Sequence, residues 1–326
     1  VGSVVGVSRD VDYAVSWSFP GVAEGMAILR HDGSRVEVPD VRASQVVPIG
    51  EGYLVTHNYS DTFFRLSVTG DRIGAPLTLP ERMPPHWQSV ERHGDLVRFV
   101  AHSLTDPTPH AYAIDVDAWT FSRAAVASPP GSAYWAFTSD RALILRRTDA
   151  GSRLLGLRDP ASGIDEVLFE IEAPFEPTDI RFDEASESWR LAGRRQTASG
   201  AYVVASARVS MEGTLTELAE LPPDAPDTGA TVWAENGPDA TVAGSPLGPA
   251  LAVTPIYFGR DHLAPVTVLY PTASGDALRG GGTYGVPTAF RPSITWSDAD
   301  SGFAIVSAER DEDGRTYLAL RCGLRP

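Results

Sequence analysis

The stretch that decides the fold is residues 44–80, SQVVPIGEGYLVTHNYSDTFFRLSVTGDRIGAPLTLP. In this stretch, short runs of alternating apolar and polar residues are separated by turns rich in glycine, aspartate and proline. A period of two is typical of strands that bury one face, and turn residues mark where such strands end. The stretch therefore predicts four short strands, the third ending at Gly70 and the fourth before Pro80.

The same order of elements recurs along the chain, most clearly in residues 176–222 and 292–320. One anchor residue per copy lies at Val5, Val46, Val90, Trp135, Ile180, Val232 and Ile294. The anchors are roughly 40 to 60 residues apart, which is typical of the four-stranded blades of a β-propeller. The sequence therefore predicts an all-β fold, a seven-bladed β-propeller of four-stranded antiparallel blades. A large β-sandwich with accidental periodicity is the alternative.

We expect a single domain over residues 1–326. The approximate blade boundaries are 1–40, 41–83, 84–129, 130–174, 175–223, 224–287 and 288–326. The sixth blade includes an insertion around residues 271–287, whose glycine run at 280–285 is expected to form a loop. The seventh copy ends before a fourth strand. Two explanations are possible. Either residues upstream of Val1, which could include a lipid anchor, supply a strand that completes the blade, or the blade has three strands.

Composition excludes several classes of function. The formal net charge of −15 argues against nucleic acid, because phosphate neutralisation needs a basic surface. All 27 basic residues are arginine, which excludes a Schiff-base lysine and a P-loop lysine. No apolar run is long enough to form a transmembrane segment. The single cysteine, Cys322, cannot form an internal disulfide or a cysteine-based metal site.

The last copy of the repeat carries a resemblance. Its residues are Pro292–Ser297, Gly302–Val306 and Arg310–Leu320, which end in Tyr-Leu-Ala-Leu. They resemble a repeat of bacterial secreted or lipid-anchored β-propeller proteins, which have a WD-like architecture without the WD signature. The resemblance implies a binding or scaffold role. The acidic, lysine-free and cysteine-poor composition is compatible with the periplasm, the exterior or the outer surface of a bacterium, and we predict one of these locations.

The candidate ligand-binding residues are donors at corresponding strand ends. His57 and His102 end the second strands of two neighbouring copies, and Arg147 and Arg195 hold that place in the next two. A ring of such donors on one propeller face could bind a carboxylate or an anionic sugar. The alternative is that they are solvated or pair with the excess acids.

Aromatic residues extend this candidate site. They lie in the predicted connections between blades or in the insertion: Trp87, Trp135, Trp233 and Tyr284. Exposed aromatic rings suit sugar stacking or a protein partner. Because the tryptophans do not share one repeat position, packing between blades is the alternative interpretation.

Sequence motifs give no catalytic, metal or cofactor site. The signatures of zinc proteases, serine hydrolases and P-loop enzymes do not occur. We therefore predict a non-enzymatic binding or scaffold protein with a protein or glycan partner over the loop-rich channel face. One alternative is a glycoside hydrolase or lyase using carboxylates such as Asp179, Asp183, Glu184, Asp298 and Asp300. Another is a subunit of a larger cell-surface assembly.

Overall fold

The structure is a computed structural model. It describes residues 3–9, 12–19, 23–30, 32–41, 45–50, 52–57, 60–81, 90–102, 109–125, 132–138, 140–148, 150–159, 167–221, 238–255, 264–288, 292–310, 313 and 315–326. Within these ranges the regular structure is 27 β-strands and one 3-10 turn at Glu184–Ser186.

The first three sheets contain four strands each. The strands are β1 (Ser3–Arg9), β2 (Asp12–Phe19), β3 (Ala23–Arg30), β4 (Arg35–Glu37), β5 (Gln45–Ile49), β6 (Gly52–Thr56), β7 (Thr62–Ser67), β8 (Arg72–Thr78), β9 (Glu91–His93), β10 (Leu96–His102), β11 (Pro109–Asp115) and β12 (Thr120–Ala125). In each sheet the strands neighbour one another in chain order.

Three further sheets of four strands and one of three follow. Their strands are β13 (Ser132–Phe137), β14 (Ala142–Arg147), β15 (Arg153–Arg158), β16 (Val167–Glu172), β17 (Glu176–Asp183), β18 (Ser188–Gln196), β19 (Tyr202–Ser210), β20 (Leu215–Glu220), β21 (Pro238–Ala243), β22 (Ala250–Pro255), β23 (Ala264–Pro271), β24 (Leu278–Thr288), β25 (Ser293–Ser297), β26 (Gly302–Arg310) and β27 (Thr316–Leu324). The last sheet has the order β25-β26-β27.

These seven antiparallel meanders confirm the predicted seven-bladed β-propeller. The seventh blade shows three strands within the described residues, in line with the early end of the last repeat. By internal contacts the chain divides into two units, one of Val1–Val11 with Pro174–Pro326 and one of Asp12–Ala173. In the first unit, β1 lies beside β25 and β26.

A five-residue turn closes many of the hairpins. In Ser67–Asp71, Gly70 N donates to the Ser67 carbonyl over 3.0 Å and Ser67 N donates to the Asp71 carbonyl over 2.8 Å. Ser210–Thr214 repeats both bonds, and its serine hydroxyl accepts from the amides of Glu212 and Thr214 at 3.2 Å. The glycine is left-handed, with φ +82° at Gly70 and +88° at Gly213, which other residues rarely adopt. A Ser/Thr-x-x-Gly signature therefore marks strand ends in this chain.

The expectation of a loop at residues 280–285 is wrong. These residues lie inside β24, where the glycines make room for aromatic rings. A Cβ built on Gly281 would lie 2.0 Å from the Tyr270 ring. Gly282 has φ +135° and faces the Tyr284 hydroxyl, which donates to the Gly281 carbonyl over 3.1 Å. The glycine run is therefore a packing surface for two tyrosines.

The core of the Asp12–Ala173 unit includes a row of aromatic rings. Phe63 stacks on Phe99 with ring centroids 5.1 Å apart, and Phe99 stacks on Tyr112 at 5.2 Å. All three side chains are buried. Because they come from β7, β10 and β11, the stack joins the second blade to the third through apolar contact.

Polar side chains on inner strands connect one blade to the next. In the fifth blade, Asp179 accepts from the amide of Val242 on β21 over 3.0 Å. Thr178 beside it donates to the Ala240 carbonyl at 2.8 Å and accepts from the Ala240 amide at 3.1 Å. In the other unit, Glu91 on β9 accepts from the Phe137 amide over 2.6 Å. These bonds satisfy buried backbone groups that would otherwise be costly to leave unpaired.

Candidate functional site

The predicted donors fall at the ends of second strands, as their sequence positions suggest. His57 directly follows β6, His102 ends β10, Arg147 ends β14, and Arg195 is the penultimate residue of β18. His57 is half-buried. The side chains of His102 and Arg147 lie outside the described part of the structure, so Arg195 is the donor whose surroundings can be described in detail.

Arg195 is held by a glutamate two strands away. Its Nε lies 2.5 Å from Glu220 Oε1 and its Nη2 lies 2.6 Å from Oε2, so the pair is bidentate. Arg195 is opposite Val203 on β19 and Glu220 is opposite Ala205, so the ion pair passes over the third strand. The hydrogen bonds to Glu220 raise the pKa of Arg195 above its usual range.

The fourth blade repeats this arrangement at the same register. Arg146 on β14 is opposite Leu154, and Glu170 on β16 is opposite Gly156, two residues further along β15. The Arg146 and Glu170 side chains are 3.3 Å apart. Arg158, which is buried, also reaches Glu170 at 3.3 Å. An arginine on the second strand bound to a glutamate on the fourth is therefore a shared feature of two consecutive blades.

A second arginine supports the hairpin end of β18. Arg194 donates to Glu176 over 3.1 Å, and its guanidinium lies 5.4 Å from the centroid of the Tyr202 ring. The adjoining turn at Thr197–Ala201 has the five-residue geometry described above. Arg194 and Tyr202 lie on one face of the β18–β19 hairpin, and Arg195, the next residue along β18, lies on the opposite face because successive side chains of a strand alternate. Glu176 positions Arg194 and Glu220 positions Arg195. We call Arg195 and Glu220 the hairpin surface.

The aromatic candidates have different outcomes. Trp87 and Trp233 lie outside the described residues, as does the side chain of Trp135 on β13. Tyr284 is on β24, partly buried, and packs against the core of the sixth and seventh blades. That placement fits the packing interpretation for this residue.

The carboxylates considered for catalysis have structural contacts. Asp183 is buried and accepts from Ala185 N at 3.2 Å, Ser186 Oγ at 2.6 Å and Arg190 Nε at 3.2 Å. A Cβ on Gly244 would lie 2.4 Å from its carboxyl carbon, so that glycine permits the close approach. Asp298 accepts from the indole nitrogen of Trp296 over 2.7 Å. Together with the role of Asp179 on β17, these contacts account for the positions of three candidates.

The glutamate partners were missed by the sequence analysis. Val167–Glu172 reads VLFEIE and Leu215–Glu220 reads LTELAE, so both fourth strands combine apolar residues with two glutamates. An alignment of the repeats strand by strand would reveal this acidic fourth strand opposite the arginines. In the part of the chain that the structure describes, no three histidine, cysteine or acidic residues are grouped to hold a metal ion.

No protein-family model matches the chain, and no curated protein matches it. Among solved structures, it is similar to hydrazine synthase of Kuenenia stuttgartiensis, with a TM-score of 0.59 and 13% identity over 96% of this chain and 93% of that chain. The WD40 domain of Toxoplasma gondii coronin gives a TM-score of 0.59 at 11% identity, covering 97% of this chain and 80% of that chain. A puromycin-hydrolysing peptidase of Mycobacterium tuberculosis gives 0.55 at 12% identity, covering 99% and 51%.

At these identities the likeness shows the fold alone, and propellers carry many unrelated functions. The propeller fold is consistent with a binding or scaffold role. Among the described residues there is no helix that is both long and apolar enough to span a membrane.

Proposed function

We propose that this protein is a non-enzymatic binding or scaffold propeller that acts outside the cytoplasm of a bacterium. Its partner is a protein or a glycan that presents carboxylate or hydroxyl groups. The location is proposed from the acidic, lysine-free composition and from the resemblance to secreted or lipid-anchored propellers. The role is proposed from the hairpin surface, in which Glu220 orients a partly exposed arginine donor.

The observation that carries the proposal is the state of Arg195. Its side chain is 42% exposed although two of its nitrogens are bound to Glu220. Its Nη1 makes no hydrogen bond to any residue that the structure describes and is available to a ligand. A guanidinium whose plane is already oriented loses less conformational freedom on binding than a mobile one. Arg195 is therefore suited to recognise an oxygen-bearing partner.

The test is a binding screen followed by mapping. A panel of glycans and peptides is titrated against the protein, and the bound surface is located by hydrogen exchange. We expect ligands to slow exchange in the β18–β19 hairpin, and we expect Arg195→Ala to weaken ligand binding by roughly tenfold or more, the range for loss of one charged hydrogen bond. Arg35→Ala is the matched control, because Arg35 is also an exposed arginine paired with a glutamate. Equal loss in both variants would contradict the proposal.

The enzyme alternative makes the opposite prediction. Hydrolysis of a glycoside, or lyase activity, that is abolished by replacing one carboxylate would replace the binding role with a catalytic one. The remaining alternative, a subunit of a larger surface assembly, is favoured by the seventh blade, in which the structure describes three strands, and is developed next.

A further inference from the structure

Among the strands that the structure describes, none covers the outer edge of the third strand of the seventh blade, whereas the third strands of the other blades are covered. In the fifth blade β19 lies between β18 and β20, and Val203, Val204 and Ala205 near its start are buried. In the seventh blade β27 pairs with β26, and no described strand pairs with its outer edge. Its residues Leu318–Arg321 are only half-buried. An uncovered strand edge is a template for pairing with another extended segment.

The protein's own repeats indicate the chemistry of a covering strand. In the fourth and fifth blades the fourth strand is acidic, and its glutamates bind arginines of the third strand. Arg158 on β15 reaches Glu170 at 3.3 Å, and Arg208 on β19 reaches Glu217 at 2.6 Å. These contacts come in addition to the pairs made by second-strand arginines. A fourth strand in these blades therefore supplies both hydrogen bonds to the backbone and negative charge.

The charge of β27 fits a covering strand of that kind. The segment 315–326, RTYLALRCGLRP, contains three arginines and no acidic residue, although the whole chain has a net charge of −15. Arg321 binds Glu309 of β26 and is still 29% exposed. Arg315 and Arg325 are exposed just outside the two ends of the strand, and Arg315 lies 3.5 Å from Asp313. Because arginines lie at both ends of β27, a second copy paired antiparallel with this strand would place like charges opposite each other.

We infer that the outer edge of Leu318–Arg321 receives an extended acidic segment from a partner protein. The segment has about six residues that alternate aliphatic side chains with glutamate, as in Val167–Glu172. Backbone pairing with β27 completes the seventh blade, and the glutamates face Arg321 and the flanking Arg315 and Arg325. This inference rests on the proposed binding role and gives it a partner and a surface separate from the hairpin surface.

The experiment uses a synthetic peptide as the probe. A fluorescein-labelled peptide containing VLFEIE between glycine-serine spacers is titrated by fluorescence anisotropy. Amide exchange of Leu318–Arg321 is then measured with and without it. We expect saturable binding, slower exchange at these amides, and a loss of roughly tenfold when both glutamates of the peptide become arginine. The variant R315E/R325E should lose a similar factor, whereas R35E at the separate strand β4 should not.

The other outcomes overturn the inference. Binding that leaves the exchange of Leu318–Arg321 unchanged, or equal affinity for the charge-reversed peptide, would remove the proposed acidic partner. Slow exchange of these amides in the protein alone, as slow as at Val203–Ala205, would show that the edge is already covered. Protection that appears only as the protein self-associates would assign the edge to a second copy. In each case ligand binding that depends on Arg195 would still support the proposed function, so the two failures are distinguishable.

Discussion

Replacing Asp179 tests whether side chains on inner strands hold neighbouring blades together. The Asp179 carboxylate is buried, and its Oδ2 accepts from the Val242 amide over 3.0 Å. Asp179→Ala leaves this buried amide without an acceptor, which costs about 1–3 kcal/mol. Asp179 also lies 3.3 Å from Arg181, but the Arg181 side chain is 43% exposed, so this pair adds at most about 1 kcal/mol. We expect a total loss of about 2 kcal/mol.

That loss converts into a measurable shift of the unfolding temperature. An unfolding entropy of about 2.1 cal/mol/K per residue gives roughly 0.7 kcal/mol/K for 326 residues, so the midpoint should fall by about 3 °C. Asp179→Asn keeps an acceptor oxygen of the same shape and should lose less than half as much. The assay is calorimetry combined with amide exchange. The Val242 amide should exchange faster in Asp179→Ala but not in Asp179→Asn. Equal midpoints for the alanine and asparagine variants would refute the reasoning.

Two further predictions concern the glycine run and its tyrosines. Gly281→Ala places a methyl group 2.0 Å from the Tyr270 ring, so we expect it to lower the free energy of unfolding, measured in urea, by about 1–3 kcal/mol. The control is Gly50→Ala, whose added methyl group meets no atom within 4 Å and should change the free energy of unfolding by less than about 0.5 kcal/mol. Burial, together with the neighbouring Tyr284, raises the pKa of Tyr270 to about 12, although Arg279 opposes the shift. The unfolded chain therefore loses this proton near pH 10 while the folded chain keeps it, so wild-type stability should fall by about 1–2 kcal/mol more than that of Tyr270→Phe between pH 10 and 12. Parallel urea midpoints for the two proteins across that range would contradict this assignment.

The sequence predicted the architecture because its pattern of apolar, polar and turn residues repeats along the chain. Each blade repeats the same alternation and the same turn residues, so even weakly similar copies add up to one period. The error at residues 280–285 arose because glycine usually marks a loop. Here Gly281 is required by the Tyr270 ring, which lies eleven residues earlier on the paired strand β23. Nothing local in the sequence shows that contact.

The candidate site was predicted only as far as strand positions allow. The position of Arg195 at the end of β18 follows from counting residues along the repeat. Its pairing with Glu220 does not, because the two residues lie on strands that are not neighbours and the contact depends on the register of β19 between them. The structural roles of Asp179 and Asp183 were likewise hidden, because an acid on an inner strand or beside its turn can accept from a backbone amide or line a site, and the sequence is the same in both cases.

The absence of lysine has a consequence at the ion pairs that pass over the third strands. A guanidinium is a planar fork that can grip a carboxylate at two points, whereas an ammonium group is a point charge that leaves its partner free to rotate. The two contacts from Arg195 to Glu220 therefore oppose sliding of β18 relative to β20. The use of arginine in place of lysine throughout the chain thus makes a blade more resistant to movement along its strands.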